Sequence, residues 1–391
     1  MAGEIVKPQI ARNPANYTGA LVNEPPLSVG VRNPFVCAEH KLGKKIDWDK
    51  MKMEEKKRTL GEAFKMPYEL LFDSKNKESP LFVGDTRACT PYPVDRWAPY
   101  PEVSTYVDTF GYSDPVQGAL PDCNFIAALS SIALAKPGLL LNQSTAPYSY
   151  NFYKPPAVEG TPATREYVTG ISKNLPLDAN NQYRYSKSFT PNEIWVAMYE
   201  KAFAKWKNQA WGDTPDYSLI CTGDPVVALL NLTGYKFTTY KPGTDVTLSN
   251  ATRYATKDFG SDATKIFNKI KNQCIIPAYK VKFPMVAYTY DPRIETPPAG
   301  ITYTDATIVA NHAYSVFGVY TVAPNNYIVM RNPWGQMGAG PGSGDPSGLP
   351  AGALASGTWN GVSLSDASDA IFALKADVFR DYFKGFGWVV Q

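Results

Sequence analysis

The sequence predicts an α+β fold in which a helix-rich half is followed by a strand-rich half. Helical signals cluster before about residue 240, whereas β-branched and aromatic runs separated by turn residues dominate after it. The 391 residues include 29 Gly and 33 Pro, which favours many ordered turns over a coiled coil or a helical solenoid. Because 44% of the residues are hydrophobic, the chain can bury a sizeable core, and global disorder is excluded.

Three segments are expected along the chain. The first is an N-terminal accessory arm, residues 1–80, which contains a dense charge run over residues 41–60 and a predicted helix over Thr59–Phe72. The second is a helix-rich lobe, residues 81–240, and the third is a β-rich lobe, residues 241–391.

Capping signals predict three helices in the second segment. The first covers Asp122–Ala135, with Asp122 as the N-cap and Pro137-Gly138 as the stop. The second opens with a Thr-Pro pair and covers Thr190–Lys207. The third covers Asp224–Leu232 and ends near Gly234.

Strands are predicted for five runs of the third segment: CIIPAYKV, PMVAYTY, HAYSVFGVY, NYIVMR and GFGWVV. The string TVAPNN is predicted to turn the chain between the third and fourth runs. A Gly/Pro-rich stretch, residues 335–353, precedes the last run and is expected to form a mobile flap, because long loops are often functional.

Charge and cysteine content exclude several classes of function. The 39 Lys and Arg against 36 Asp and Glu leave a net charge of +3, so no nucleic-acid partner is indicated. We find neither a signal-peptide core nor an apolar run of membrane-spanning length, so we expect no membrane span and a cytoplasmic, intracellular location. The five cysteines contain no CxxC pair, which indicates neither a zinc site nor a disulfide framework.

One cysteine is a candidate nucleophile because of its place at a helix start. Cys123 follows the predicted N-cap, where exposed N–H groups stabilise a thiolate. Gln117 lies six residues earlier, and its amide together with the Cys123 N–H would supply two donors to a tetrahedral oxyanion. The alternative is an inert thiol and a glutamine that only caps a loop.

A base and its orienting group are predicted at the open end of a hairpin. His312 heads one strand, and Asn332 ends the strand that returns beside it. An Asn carbonyl that accepts the imidazole N–H would fix its tautomer, and Trp334 could shield that hydrogen bond from water. The alternative is an Asn-Pro turn that merely ends the strand. His40, in a charged segment without a motif, has no assigned role.

These residues occur in strings that resemble the catalytic blocks of the calpain family. The strings are QGALPDC, NHAYSVFG and RNPWG, and LPLDANNQYRYSKSFTPNEIWVAMYEKAFAK and GDPVVALLNLTG resemble further calpain segments, so that the likeness covers residues 81–391. The resemblance implies a papain-like, two-lobed cysteine protease core that acts on protein or peptide substrates. It also implies Cys123 as the nucleophile, His312 as the base, Asn332 as its orienter and Gln117 as the oxyanion donor.

The chain departs from the family pattern near the site. Pro121 and Asn124 stand where the family has Gly and Trp, and Asn311 stands where it has Gly before the histidine. The resemblance implies no redox or organic cofactor, but it makes calcium possible, because Asp114 and Glu200 match carboxylate positions of a family calcium site. Tyr112 replaces the Arg of that site, which weakens the calcium hypothesis.

The leading hypothesis is therefore a calpain-like cysteine endopeptidase, a thiol protease with a Cys-His-Asn triad. The alternative is a catalytically silent calpain-fold protein that binds or assembles through its N-terminal arm. A weaker option keeps the site but transfers the acyl group to another acceptor, as a transglutaminase-like enzyme does. The oligomeric state is not indicated by the sequence.

Overall fold

The fold is that of a computed structural model, which describes a defined part of the chain. The described residues are 94–99, 110–140, 148–154, 163–190, 192–209, 212–221, 223–241, 244–248, 262–290, 297–303, 308–335, 350–354, 356–364 and 370–390, with single positions or short pieces at 50–52, 55, 58–59 and 292. Nearly all of the predicted arm 1–80, most of the predicted helix Thr59–Phe72, and residues 336–349 of the predicted flap lie outside this set.

The described residues contain five α-helices and seventeen strands. The helices are α1 (Cys123–Ala135), α2 (Trp195–Asn208), α3 (Pro225–Thr233), α4 (Ala263–Lys271) and α5 (Ala376–Tyr382). The strands before residue 250 are β1 (Arg96–Pro99), β2 (Pro115–Val116), β3 (Tyr148–Lys154), β4 (Thr164–Ile171), β5 (Asn174–Leu177), β6 (Lys187–Ser188), β7 (Lys236–Lys241) and β8 (Thr244–Leu248). The later strands are β9 (Cys274–Ile275), β10 (Lys280–Thr289), β11 (Ala313–Val322), β12 (Asn325–Arg331), β13 (Ala353–Leu354), β14 (Thr358–Trp359), β15 (Val362–Ser363), β16 (Ile371–Lys375) and β17 (Phe383–Val390).

Nine of the described strands form one antiparallel sheet. Its order is β13-β16-β12-β11-β10-β17-β7-β8, and β9 pairs with β10. The remaining strands form the two-stranded pairs β1-β5, β2-β6, β3-β4 and β14-β15. The predicted α+β class is confirmed, and the domain boundary near residue 240 stays a prediction.

The third predicted helix shows why capping signals work when they are local. The Asp224 carboxylate accepts hydrogen bonds from the backbone N–H groups of Val226 at 2.8 Å and Val227 at 3.2 Å. Gly234 ends the helix in the left-handed region, at a φ of 70°, which only a residue without Cβ adopts readily. Both predicted ends of α3 are confirmed to within one residue.

Two other helix starts differ from the predictions. The helix α1 begins at Cys123 as expected, but the Asp122 side chain makes no capping bond, because its buried carboxyl group faces Glu200 instead. The predicted start of α2 at Thr190 is wrong, and the helix begins at Trp195. The Thr190 hydroxyl donates to the Asp114 Oδ1 atom at 2.6 Å, so this residue serves a tertiary contact rather than the helix.

The predicted strand runs are confirmed, with one interruption. The run CIIPAYKV does not form a single strand, because β9 stops at Ile275 and β10 begins at Lys280. Pro277 lies between them, and proline has no N–H to donate to a strand ladder. The predictions missed α4, although its buried Ile266, Phe267 and Ile270 share one helical face. They also missed α5 and the β3–β4 hairpin.

Two hydrophobic cores meet at α1. One core lies among α1, α2, α3 and the β3–β4 hairpin, where Phe125 stacks on Phe203 with ring centroids 4.3 Å apart. The other lies between the large sheet and the helices α4 and α5. The Ser131 hydroxyl of α1 donates to the Met285 carbonyl at 2.8 Å, which bonds this helix to β10. Within the described residues, no helix has the length and apolar content needed to cross a membrane.

Candidate active site

The backbone of His312 is held by the end of β10. Its N–H donates to the Thr289 hydroxyl oxygen at 2.9 Å, and the Thr289 N–H donates to the His312 carbonyl at 3.0 Å. The His312 side chain is fully buried. These two hydrogen bonds to Thr289 therefore fix the position of the His312 backbone, from which the imidazole extends.

The imidazole of His312 meets the side chain of Asn332, as predicted for a hairpin that opens at this end. Its Nε2 lies 2.9 Å from Asn332 Oδ1. The backbone N–H of Trp334 donates to the same Asn332 atom at 3.1 Å, and because a backbone N–H can only donate, that atom must be the carbonyl oxygen. The Nε2 atom must then carry hydrogen and donate, which leaves Nδ1 with a lone pair in the neutral ring.

Two aromatic rings pack against the imidazole of His312. The Trp334 ring centroid lies 4.8 Å from that of the imidazole, where the sequence predicted a shield, and Tyr314 makes an edge contact at 5.0 Å. Burial lowers the pKa of His312 to about 4, against an opposing contribution from the Asn332 hydrogen bond. The resting imidazole is therefore neutral at neutral pH, and no described group forms a hydrogen bond to its Nδ1.

The Gln117 side chain is buried, and the backbone of this residue bonds to the segment that follows Asn332. Its backbone N–H donates to the Pro333 carbonyl at 2.9 Å, and its side-chain Nε2 donates to the Leu120 carbonyl at 2.7 Å. An amide nitrogen carries two hydrogens, so one remains for another acceptor. Gly118 must be glycine, because a Cβ there would lie 1.9 Å from the Tyr185 carbonyl oxygen.

Cys123 is the first residue of α1 and is fully buried. Further along this helix, the Ala127 carbonyl accepts a hydrogen bond from the Ser315 hydroxyl at 2.7 Å. Ser315 lies on β11, three residues after His312. The first N–H groups of a helix have no partner within it, and a helix N-terminus in general favours the thiolate form of a cysteine.

Hydrogen bonds thus connect the segments that carry the four predicted site residues. His312 and Asn332 are in direct contact, and Gln117 is linked to them through Pro333. Cys123 lies at the start of the helix that Ser315 bonds to β11. Two of these links join segments about 200 residues apart in sequence, and they depend on how α1 packs on the sheet.

One departure from the family pattern, Asn311, has a local explanation, and a second, Asn124, lies in a close contact. Asn311 adopts a φ of 52°, in the left-handed region where glycine is favoured and where asparagine is the best-tolerated substitute. Asn124 is buried against Gly223, where an added Cβ would lie 2.6 Å from the Asn124 Nδ2 atom. Nothing in the structure explains why Pro121 replaces glycine.

The two carboxylates that resemble calcium ligands are engaged within the protein. Asp114 accepts hydrogen bonds from the Gly111 N–H at 3.0 Å, from Thr190 and from the Trp195 indole at 3.3 Å. Glu200 accepts the Ser186 N–H at 3.1 Å, and burial raises its pKa to about 8. No group of three or more His, Cys, Asp or Glu that could hold a metal ion occurs among the described residues. Both carboxylates thus accept hydrogen bonds within the protein, and calcium binding stays a prediction.

Sequence reasoning missed two residues that hold the site. Thr289 ends the run PMVAYTY, and nothing local marks it as a partner of His312. Arg331 ends the run NYIVMR and is fully buried, with its guanidinium group on the backbone of residues 113–115. A charged residue at the end of an apolar strand was a usable signal, because a buried arginine must find hydrogen-bond acceptors.

A comparison with known protein families covers the segment that contains the four predicted site residues. A family model described as calpain family cysteine protease matches residues 96–347. A protein named "Thiol protease" from Porphyromonas gingivalis (strain ATCC BAA-308 / W83) is 29% identical over 295 residues, which covers 68% of this chain and 53% of that protein. The mouse (Mus musculus) protein "Calpain-5" is 29% identical over 174 residues, 40% of this chain and 26% of that protein. The chain thus spans about half of the first relative and a quarter of the second. Since the family match covers well over half of its length, the chain belongs to the calpain family of cysteine proteases.

Proposed function

We propose that the chain is a cysteine endopeptidase with a two-lobed papain-like core, in which Cys123, His312 and Asn332 form the catalytic triad. The observation that carries this proposal is the hydrogen bond between His312 Nε2 and Asn332 Oδ1, at 2.9 Å. It leaves Nδ1 as the basic atom of a neutral imidazole, which is the state that a general base requires. The two-lobed part of the proposal is supported by the presence of two hydrophobic cores, one that holds α2 and α3 and one at the large sheet.

Each group has one role in the reaction. His312 Nδ1 takes the proton of the Cys123 thiol, and the thiolate attacks the carbonyl carbon of the scissile peptide. The oxyanion accepts hydrogen bonds from the Gln117 side-chain amide and the Cys123 N–H. The imidazolium then gives its proton to the leaving amine as the C–N bond breaks, which leaves the acyl group on Cys123 as a thioester. Water, deprotonated by His312, hydrolyses the thioester and restores the free thiol.

Burial of His312 shapes the energetics of that proton transfer. Since burial lowers the pKa of His312 to about 4, a charged imidazole is unfavourable in the resting site. A thiolate formed beside it offsets this cost, because opposite charges attract strongly where water is excluded. The charged imidazolium is therefore stabilised by the Cys123 thiolate that forms with it, so the ionisation of one residue depends on that of the other.

The substrates proposed are proteins or peptides, with no nucleic acid and no required cofactor. We place the protein in the cytoplasm, as a proposal that follows from the sequence alone. A catalytically silent protein is not favoured, because the nucleophile, the base, the orienting amide and the oxyanion glutamine are all present. An acyl transferase would use the same four residues and is separated by its products.

The test compares Cys123→Ser and Cys123→Ala with the wild type on unstructured protein substrates. Both variants should keep the wild-type melting temperature and lose at least about a thousandfold in kcat/KM. The matched control is Cys274→Ser, since Cys274 is also buried and burial raises its pKa to about 12. An epoxide-type thiol-protease inactivator should label the wild type and Cys274→Ser but neither Cys123 variant.

Peptidase activity that survives in Cys123→Ala would contradict the proposal. Release of ammonia from glutamine substrates without peptide cleavage would favour the acyl transferase. A wild type that is folded but neither labelled nor active would favour the silent protein.

A further inference from the structure

Arg331 ends β12 immediately before Asn332, and its guanidinium group is fully buried. Its Nη1 atom donates to the Pro115 carbonyl at 2.7 Å, and its Nη2 atom donates to the Ser113 carbonyl at 2.6 Å. Nη1 also lies 3.5 Å from the Ser130 hydroxyl of α1. One side chain of the sheet thus bonds both the 113–115 segment and the helix that begins at Cys123.

The bonded segment leads directly to the oxyanion glutamine. Pro115 begins β2, and Gln117 is the residue that follows this two-residue strand. The Gln117 backbone N–H donates to the Pro333 carbonyl at 2.9 Å. Residues 113–117 are therefore bonded at three points to the short stretch 331–333, twice through the Arg331 side chain and once through the backbone.

The backbone of Arg331 is held on both sides by neighbouring strands. Arg331 pairs with Ser315 on β11 and with Ile371 on β16, so its backbone lies inside the large sheet. A guanidinium group is planar and presents its donors in a fixed fork, so it sets both the distance and the angle of the two carbonyls it binds. A lysine side chain ends in a single ammonium group, which has no planar fork of donors and so does not set the angle between two carbonyls.

We propose that Arg331 is a positioning residue for the oxyanion site, because it fixes the Gln117 amide relative to Asn332 and His312. This inference rests on the proposed function. Misplacement of a catalytic group by about 1 Å costs on the order of a hundredfold in rate. Without Arg331, the Ser113 and Pro115 carbonyls would lose the donors that tie them to the end of β12. The remaining bonds of the 113–117 segment, which include those of Asp114 and the pairing of β2 with β6, hold it to other elements, and only the backbone bond to Pro333 named above would still join it to residues 331–333 among these bonds.

The experiment separates the oxyanion site from the nucleophile in Arg331→Lys, with Arg331→Gln as a second variant if the first unfolds. A peptide aldehyde reports the oxyanion site, since it adds to the thiol and forms a tetrahedral oxyanion. Iodoacetamide reports the nucleophile alone, since the thiolate displaces iodide and no oxyanion forms. We expect kcat/KM and aldehyde affinity each to fall about a hundredfold while KM changes little. The alkylation rate of Cys123 should stay within about threefold.

Lys201→Met is the matched control, because Lys201 is another buried cation that donates to two carbonyls, those of Ser172 at 3.1 Å and Asn174 at 2.7 Å. It should lower the melting temperature but keep aldehyde affinity within about threefold. The inference is overturned if Arg331→Lys retains aldehyde affinity, if alkylation falls in proportion, or if Lys201→Met loses affinity equally. A wild type that neither cleaves peptides nor binds the aldehyde overturns the proposed function itself, and this inference with it.

Discussion

The Asn332 carbonyl oxygen accepts two hydrogen bonds, one from His312 Nε2 and one from the Trp334 N–H. The second bond matters as much as the first, because it prevents the amide from rotating to present its NH₂ group to the ring. The tautomer of the histidine thus depends on a backbone N–H two residues beyond the asparagine.

At this scale, we expect Asn332→Ala to be milder than His312→Ala. In the proposed mechanism, Asn332 only orients the ring, whereas His312 carries the proton itself. We expect kcat to fall by about 10²-fold in Asn332→Ala and by at least about 10⁴-fold in His312→Ala. Single-turnover acylation measures both, with Asn332→Gln as a control that keeps the amide but displaces it.

Equal losses in the two variants, with equal melting temperatures, would show that Asn332 does more than orient the base. The pH dependence of kcat would then be compared between Asn332→Ala and the wild type. A residue that bonds to the base changes the apparent pKa of the reaction as well as its rate.

Among the elements, helix starts divide into local and tertiary cases. Asp224 caps α3 with two hydrogen bonds to residues two and three positions later, so its role can be read from adjacent sequence. Asp122 precedes α1 in the same way, yet its carboxyl group faces Glu200 on α2. The neighbour of this carboxyl group therefore lies 78 residues later in the chain.

We therefore expect Asp224→Ala to lower the free energy of unfolding by about 1 kcal/mol, the usual contribution of an N-cap. Asp224→Asn is the matched control and should retain nearly all of it, because asparagine caps equally well. Urea unfolding at constant pH measures both. Identical losses in the two variants would mean that the carboxylate charge, and not the cap, stabilises α3.

Across the whole molecule, the two cores share α1, and the groups buried near it make stability depend on pH. For His312, burial lowers the pKa in the folded state to about 4, below the value of about 6.5 in an unfolded chain. The unfolded state then binds more protons between these values, so stability rises with pH across this window and is lost as the pH falls.

We expect the unfolding free energy of the wild type, relative to that of His312→Gln, to increase with a slope of up to about 1.4 kcal/mol per pH unit between pH 4 and 6.5. Denaturant unfolding at several pH values measures the difference, which cancels groups common to both proteins. Glu200 acts in the opposite direction, because burial raises its pKa to about 8 and stability falls as the pH rises towards that value. A flat difference would place His312 in a more solvated site.

Calcium dependence is also a property of the whole molecule, and we expect it to be weak. Asp114 and Glu200 already accept hydrogen bonds within the protein, and Tyr112 packs its ring against Phe317, with centroids 5.4 Å apart, where the family has arginine. Activity should change less than about tenfold when a chelator removes calcium. The control is the same assay with added magnesium. Steep activation by calcium, with no activity in chelator, would contradict this expectation.

Local sequence was sufficient for the features that depend on neighbours along the chain. The α+β class, both ends of α3, and the β11–β12 hairpin follow from periodicity, caps and a short turn. The meeting of His312 with Asn332 follows as well, because the two residues flank a hairpin and must lie at its open end. The chemical role expected for each of these residues came from the resemblance of three short strings to the calpain family.

Only the tertiary structure decided the remainder. The start of α2, the uncapped Asp122 and the engaged carboxylates all depend on contacts between segments distant in sequence. The extreme case is Arg331, whose bond to Pro115 spans 216 residues. A local pattern specifies which elements form, but the partner of a buried polar group is fixed only when distant elements pack and water is excluded, since every such group must then find a hydrogen bond.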